Sequence, residues 1–178
     1  MKAKFYLLAA LLGGLTIFVW GFIIHMGLHS VWEMTMSPLP NEQAIVDVLK
    51  SAHASNGMYY GLQGIFMTLF LEPGQTNMTS HMGPLLVIEF ITDMLVALVL
   101  AWLLVRTNIV GNGKRALFAG GVGLAGWINI NLSYWNWYRH PFSYTVLEAV
   151  NDVMAVLLAG LVIAWLMNKQ RPVTARTS

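Results

Sequence analysis

The chain of 178 residues is 57% hydrophobic and only 10% charged, with a mean hydropathy of +0.61. A soluble domain carries roughly 25% charged residues, so this composition excludes an ordinary water-exposed surface. The absence of cysteine excludes disulfides, iron–sulfur clusters and thiol chemistry, and a net charge of only +2 argues against nucleic-acid binding.

Four long apolar runs predict membrane-spanning helices, because about 20 apolar residues cross the hydrocarbon core of a bilayer. The first run follows two lysines, as a signal peptide would, but it is too long and lacks a small-residue cleavage site. We therefore expect it to be a retained anchor. The predicted spans cover residues 5–28, 83–105, 116–138 and 142–167 of one membrane domain over 1–178.

The basic residues predict how the helices are oriented. If four helices alternate in direction, most lysines and arginines fall on one side of the membrane, and cytoplasmic loops are the ones enriched in them. We therefore expect both termini to be cytoplasmic. The residues on that side are Lys2, Lys4, Arg106, Lys114, Arg115, Lys169, Arg171 and Arg176.

Residues 29–82 separate the first two runs and are predicted to be an external insert. Asn41 follows Pro40 as a candidate N-cap, and the apolar spacing after it is typical of an amphipathic helix of about three turns lying on the membrane. Residues 57–71 are apolar but too short to span. We expect a re-entrant or interfacial segment there, closed by the turn at 72–74.

Two sequence matches suggest an internal repeat. The strings VIEFITDMLVAL and VLEAVNDVMAVL, which begin at residues 87 and 146, share the pattern Glu-x-x-x-Asp. In the same order, the Gly-Gly pair at 13–14 with Trp20 matches the pair at 120–121 with Trp127. The matches indicate a duplicated helical hairpin, with chance similarity between apolar helices as the alternative.

The acidic residues of this repeat lie where charge is costly. At 1.5 Å per residue, Glu89 and Glu148 lie roughly 9 Å, and Asp93 and Asp152 about 15 Å, below the external ends of their helices. A spacing of four residues places each pair on one helical face. Unpaired polar groups are costly in lipid, so these faces should converge inside the bundle and form a pocket that opens outward. The predicted pocket residues are Glu89, Asp93, Glu148, Asp152, Asn129, Ser133, Asn136, Trp20 and Trp127.

Three interpretations of this pocket remain open. The polar groups could be a neutral hydrogen-bonded network that fixes helix packing, since desolvation and like charge favour protonated carboxyls. They could bind or move a cation, a proton or a small polar solute. They could also hold a divalent metal, for which carboxylates and imidazoles are suitable ligands; this interpretation assigns His25, His29, Glu89 and Glu148. Haem is disfavoured, because the last three helices contain no buried histidine.

Three stretches carry a resemblance to a known group of proteins. They are GGLTIFVWGFIIHMGLHSVW, PLPNEQAIVDVLK and NWYRHPFSYTVLEAVNDVMAVLLAGLVIAWL. The chain resembles a family of small, uncharacterised bacterial four-helix membrane proteins. The resemblance implies a bacterial inner-membrane location and brings no activity with it.

The overall expectation is an all-α, integral membrane four-helix bundle with an amphipathic helix inserted in the first hairpin. The lipid bilayer is its expected partner, with a small cation or polar solute as ligand. The first functional hypothesis is a binding or transport-type membrane protein, the second an accessory or assembly protein whose buried polar groups are structural, and the third a membrane metalloenzyme. Nothing in the sequence indicates the oligomeric state.

Overall fold

The computed structural model describes residues 3–54, 57–61, 66–69 and 82–170 and is mostly helical. Helix α1, Ala3–Phe22, continues through a π-helical turn at Ile23–Gly27. The other long helices are α4, Met82–Arg106, α5, Asn112–Tyr138, and α6, Phe142–Lys169. The segment between α1 and α4 contains the short helices α2, His29–Glu33, and α3, Glu42–Ser51, and the strands β1, Gly57–Tyr60, and β2, Phe66–Leu69.

Four of these helices are long and apolar enough to cross a membrane, which confirms the prediction of four spanning-length helices. The observed ends differ from the predicted ones by a few residues; α5, for example, begins at Asn112. Large apolar side chains point away from the bundle, with Leu7 67% exposed and Leu117 71% exposed. Such a surface would be an aggregation hazard in water but suits lipid.

The long helices pack in the order α4, α1, α6, α5. Helix α1 packs against both α4 and α6, and α5 packs against α6, whereas α4 and α5 barely touch each other. The apolar core lies toward one end of the bundle along the helix axes, where Phe5 meets Leu104 and Met167. Because Phe5 begins α1 while the other two residues end α4 and α6, neighbouring helices run antiparallel. We call this end the core half.

Small residues allow the close approach within each helical pair. A Cβ atom added at Gly14 of α1 would lie 2.8 Å from the Met94 backbone of α4. In the other pair, a Cβ atom added at Gly123 of α5 would lie 2.8 Å from the Asp152 carbonyl of α6. Glycine therefore brings the two backbones into contact at both positions, as is common where membrane helices pack.

Arg115 lies at the end of the core half and is almost completely buried, with 1% of its surface exposed. Its Nε donates a hydrogen bond to the Ile109 carbonyl at 2.9 Å, and its Nη1 donates to Asn168 Oδ1 at 3.0 Å. Asn168 in turn donates to Asn112 Oδ1 at 2.7 Å. The charge of Arg115 is thus placed among acceptors that connect the α4–α5 loop to the end of α6.

The predicted helix after Asn41 is present as α3. The Asn41 side chain does not cap it; instead the Asn41 backbone carbonyl accepts from the amides of Ala44 and Ile45, at 3.1 and 3.3 Å. No residue of α3 is fully buried, and Val48 is 65% exposed. The apolar face of α3 is therefore left uncovered by the described part of the chain.

Two short strands add a small sheet to the mostly helical fold, within the segment that the sequence predicted to be re-entrant or interfacial. Strands β1 and β2 pair antiparallel, with Gly57 opposite Leu69 and Tyr60 opposite Phe66. Aromatic and β-branched residues in this stretch favour the extended conformation. Pairing also satisfies the backbone groups of a segment too short to span a membrane as a helix. The predicted turn at 72–74 lies outside the described residues.

Candidate functional site

A cavity of about 740 Å³ occupies the half of the bundle opposite the core half, and all four long helices contribute to its wall. We call it the central cavity. Its volume is in the range of small-molecule binding sites, about 300–1,000 Å³. Most of the wall is apolar, and the aromatic rings of Phe18, Phe22 and Trp127 form part of it.

Three of the four predicted carboxylates line the central cavity. They are Glu89 and Asp93 from α4 and Asp152 from α6. Glu89 is exposed, whereas Asp93 retains only 8% exposure. The two aspartates lie close to the middle of their helices, about 15 Å from the helix ends at 1.5 Å per residue. The structure therefore brings one acid from each Glu-x-x-x-Asp pair deep into the same space.

The two aspartates differ in their hydrogen bonding. Asp152 Oδ2 accepts from Asn131 Nδ2 at 3.1 Å. The Asp93 carboxylate accepts no hydrogen bond from any residue that the structure describes, and its electrostatic neighbour is the acidic Glu89. A buried polar group without a partner is costly, so Asp93 stands out as a group with unused binding capacity.

Asn151 connects α6 to α1 at the wall of the central cavity. Its Nδ2 lies 3.4 Å from His25 Nε2 and donates to Glu148 Oε2 at 3.4 Å. Its other amide atom, Oδ1, is buried and has no hydrogen-bond partner among the described residues. This oxygen is therefore closed off from the cavity that Asp93 lines.

Glu148 is placed differently from the other three acids. It is half-buried and accepts from Asn151, but it does not line the central cavity. Tyr144, one turn earlier on α6, is also hydrogen-bonded to it. The carboxylate of Glu148 therefore belongs to a network beside the cavity.

On α5, the polar residues predicted for the pocket lie on an exposed face. Asn129, Ser133 and Asn136 are all exposed and do not line the cavity, and Ser133 Oγ donates to the Asn129 carbonyl at 2.8 Å. Asn131, which comes two residues after Asn129 and therefore lies on a different face of the helix, is the residue that reaches Asp152. The hydropathy pattern could not reveal this, because polar residues occur on both faces of this end of α5.

The two predicted tryptophans have different environments. Trp127 lines the central cavity, and its Nε1 donates to the Thr145 carbonyl at 2.8 Å. Trp20 is half-buried outside the cavity wall, and its Nε1 is buried without a hydrogen-bond partner in the described part of the chain.

The structure gives no support to the predicted metal site. Within the described residues, no three histidine, aspartate or glutamate side chains gather closely enough to hold a metal ion. His25 approaches Asn151 and lines the cavity with Glu89, whereas Glu148 lies outside it. The side chain of His29 is outside the described part of the structure. The ligand set therefore stays a prediction.

The central cavity is open on the side between α4 and α5. These two helices barely touch, and cavity-lining residues on both are exposed, including Val99 at 57% and Ile130 at 49%. Two glycines in the wall enlarge the space: a Cβ atom added at Gly21 or Gly126 would meet no atom within 4 Å. The wall contains no lysine or arginine among the described residues.

Comparisons with protein-family models, curated proteins and solved structures found no match for this chain.

Proposed function

We propose that this protein is a binding or transport-type integral membrane protein that holds a cation in the central cavity. The observation that carries the proposal is Asp93: a carboxylate with 8% exposure, in the wall of a large cavity, without a hydrogen-bond donor among the described residues. Asp152 adds a second carboxylate to the same wall, which His25 also lines and to which no described lysine or arginine contributes. A bound cation would offset the cost of burying this charge.

We further propose a bacterial inner-membrane location with both termini cytoplasmic. The basic residues Lys4, Arg106, Lys114 and Lys169 lie at the helix ends of the core half, which supports placing that half toward the cytoplasm. The central cavity would then lie in the external half. Helix α3, whose apolar face is uncovered, would lie on the external membrane surface.

Duplication of a helical hairpin is also part of the proposal. Gly13 and the matching Gly120 both lie at contacts within a pair, against Ala97 of α4 and Leu157 of α6 respectively. The following residues differ in role, since Gly14 is packed whereas Gly121 faces open space. An ancestral repeat whose second copy opened away from α4 accounts for both the likeness and the difference.

A second candidate function is that of an accessory or assembly protein whose polar groups only fix the packing. The hydrogen bond from Asn131 to Asp152 and the approach of Asn151 to His25 favour it, because each joins two helices. Interhelical hydrogen bonds are a known means of specifying how membrane helices associate.

The double variant Asp93→Asn/Asp152→Asn separates these two functions. The protein, purified in detergent, would be titrated calorimetrically with sodium, potassium, methylammonium and a hydrophobic ammonium ion. We expect at least one cation to bind the parent and to lose that binding in the double variant, because asparagine keeps the shape and removes the charge. The double variant should unfold at a temperature no lower than the parent, since a buried charge is costly.

The matched control is Asp47→Asn, which removes a carboxylate from exposed α3, where it bonds to Gln43. This control should bind as the parent does. A parent that binds none of the cations, or a double variant that binds them equally well, would exclude cation binding and favour the packing role.

A further inference from the structure

We propose that the ligand of the central cavity is a protonated hydrophobic amine, which donates its ammonium N–H groups to the Asp93 carboxylate. This inference rests on the proposed function and specifies the chemical class of the cation. It is supported by the shape and polarity of the cavity, by the hydrogen bonding of the polar groups in the cavity wall and by the position of the cavity opening.

The cavity is much larger than an inorganic ion requires. A bare metal or alkali ion needs a compact set of oxygen ligands, whereas this wall encloses about 740 Å³ and is mostly apolar. Apolar walls with a few polar groups are typical of sites for drug-sized organic molecules. The ligand should therefore carry an apolar body that fills the space between Phe18, Phe22 and Trp127.

The polar groups of the wall select a donor rather than an acceptor. The Asp93 carboxylate lines the cavity and accepts no hydrogen bond from the described residues. Two donors of the wall are already used, since Trp127 Nε1 bonds to the Thr145 carbonyl and Asn151 Nδ2 bonds to Glu148. An ammonium group has donors and no acceptor, and its positive charge would pair with the negative charge of the Asp93 carboxylate.

The aromatic residues of the wall suit the same ligand. A cation within about 6 Å of an aromatic ring is attracted to the face of that ring, most strongly for tryptophan. Phe18 packs edge-to-face against Phe90, with ring centroids 5.6 Å apart. A hydrophobic amine would therefore gain from its charge and from its apolar surface in one cavity.

The opening between α4 and α5 gives such a ligand a route. Exposed apolar residues flank this opening on both helices, Val99 on one and Ile130 on the other. If both helices cross a bilayer, the opening faces the lipid. A hydrophobic amine partitions into that region, whereas a small hydrated ion does not.

The test compares four probes on the full-length protein in detergent, by equilibrium dialysis with protein-free micelles as the blank. The probes are protonated 1-naphthylmethylamine, its trimethylated quaternary analogue, the uncharged 1-naphthylmethanol and methylammonium. We expect the primary amine to bind at least about tenfold more tightly than the alcohol, the quaternary analogue or methylammonium. The first comparison isolates the charge, the second the N–H donors and the third the apolar body.

Three variants locate the binding. Asp93→Asn should weaken binding of the primary amine at least about tenfold and leave binding of the alcohol unchanged. Gly126→Leu should occupy part of the cavity, where an added Cβ atom would meet no atom within 4 Å, and abolish binding. Gly121→Leu is its matched control, because Gly121 lies on the same helix, also faces open space and does not line the cavity.

Each remaining outcome decides between the inference and the proposed function. If only methylammonium, sodium or potassium binds, and does so through Asp93, the cation site stands and the hydrophobic amine is excluded. Equal binding of amine and alcohol would identify an apolar cleft for lipid or detergent and would overturn the inference. Equal binding of the quaternary analogue would exclude the N–H donor. If Asp93→Asn does not fold, the probe comparison and the Gly126→Leu variant still give the answer.

Discussion

Asp93 and Arg115 are both buried charged residues, and their surroundings are opposite. Arg115 donates to the Ile109 carbonyl and to Asn168, so its burial is compensated by two hydrogen bonds at the end of the bundle. Asp93 lies in the wall of a cavity, and its carboxylate accepts no hydrogen bond from the described residues. A buried charge with partners stabilises a particular packing, whereas one without partners indicates a site for something that binds.

We predict that Arg115→Leu lowers the stability of the protein by about 1–3 kcal/mol, because it leaves acceptors buried without their donor. The adjacent Lys114 is exposed, so Lys114→Leu is the matched control and should have little effect. The measurement for both variants is thermal unfolding in detergent, monitored as the loss of the folded peak in size-exclusion chromatography. Equal loss in the two variants would contradict the structural role assigned to the Arg115 side chain.

At the scale of the element, glycines set how closely the helices approach, and the gap between α4 and α5 sets where the bundle is open. Gly14 lies directly against the Met94 backbone, whereas Gly121 and Gly126 face open space. The same residue type thus has two roles, in one case allowing contact and in the other leaving volume empty. The sequence spacing of these glycines does not distinguish the two roles.

A test of this distinction is the pair Gly14→Leu and Gly121→Leu. We expect the first to destabilise the protein by about 1–3 kcal/mol or more, because a side chain there would force α1 away from α4. The second should be tolerated, since no atom lies within 4 Å of an added Cβ. The unfolding temperature in detergent is the measurement, and similar values for the two variants would count against the α1–α4 contact.

For the whole molecule, the four long helices place their basic ends together in the core half. A reporter fused after Ser178 should therefore be read as cytoplasmic, and a reporter inserted after Asn56 as external. Paired alkaline phosphatase and green fluorescent protein fusions, which are active on opposite sides of the membrane, make the measurement. If both reporters were found on the same side of the membrane, the proposed topology of four membrane-spanning helices would be contradicted.

The sequence by itself determined the number of long apolar helices, their approximate bounds and the depth of the acids. These features depend only on which residues occur at which positions along the chain. Hydropathy and a rise of 1.5 Å per residue are therefore sufficient to predict them. The sequence also indicated that Asp93 and Asp152 would face one space, because a spacing of four residues keeps each acid pair on one helical face. Two carboxylates at that depth must turn away from lipid.

Only the tertiary structure decided which face of α5 reaches the site, that Arg115 is buried, and that α4 and α5 stand apart. The rotation of a helix about its own axis depends on its neighbours, and the α5–α6 contact at Gly123 turns Asn131 toward Asp152 and leaves Asn129 and Ser133 exposed. The β-hairpin at 57–60 and 66–69 likewise depends on pairing between residues separated along the chain. Periodicity describes each segment alone, whereas close packing of backbones and side chains fixes how segments meet.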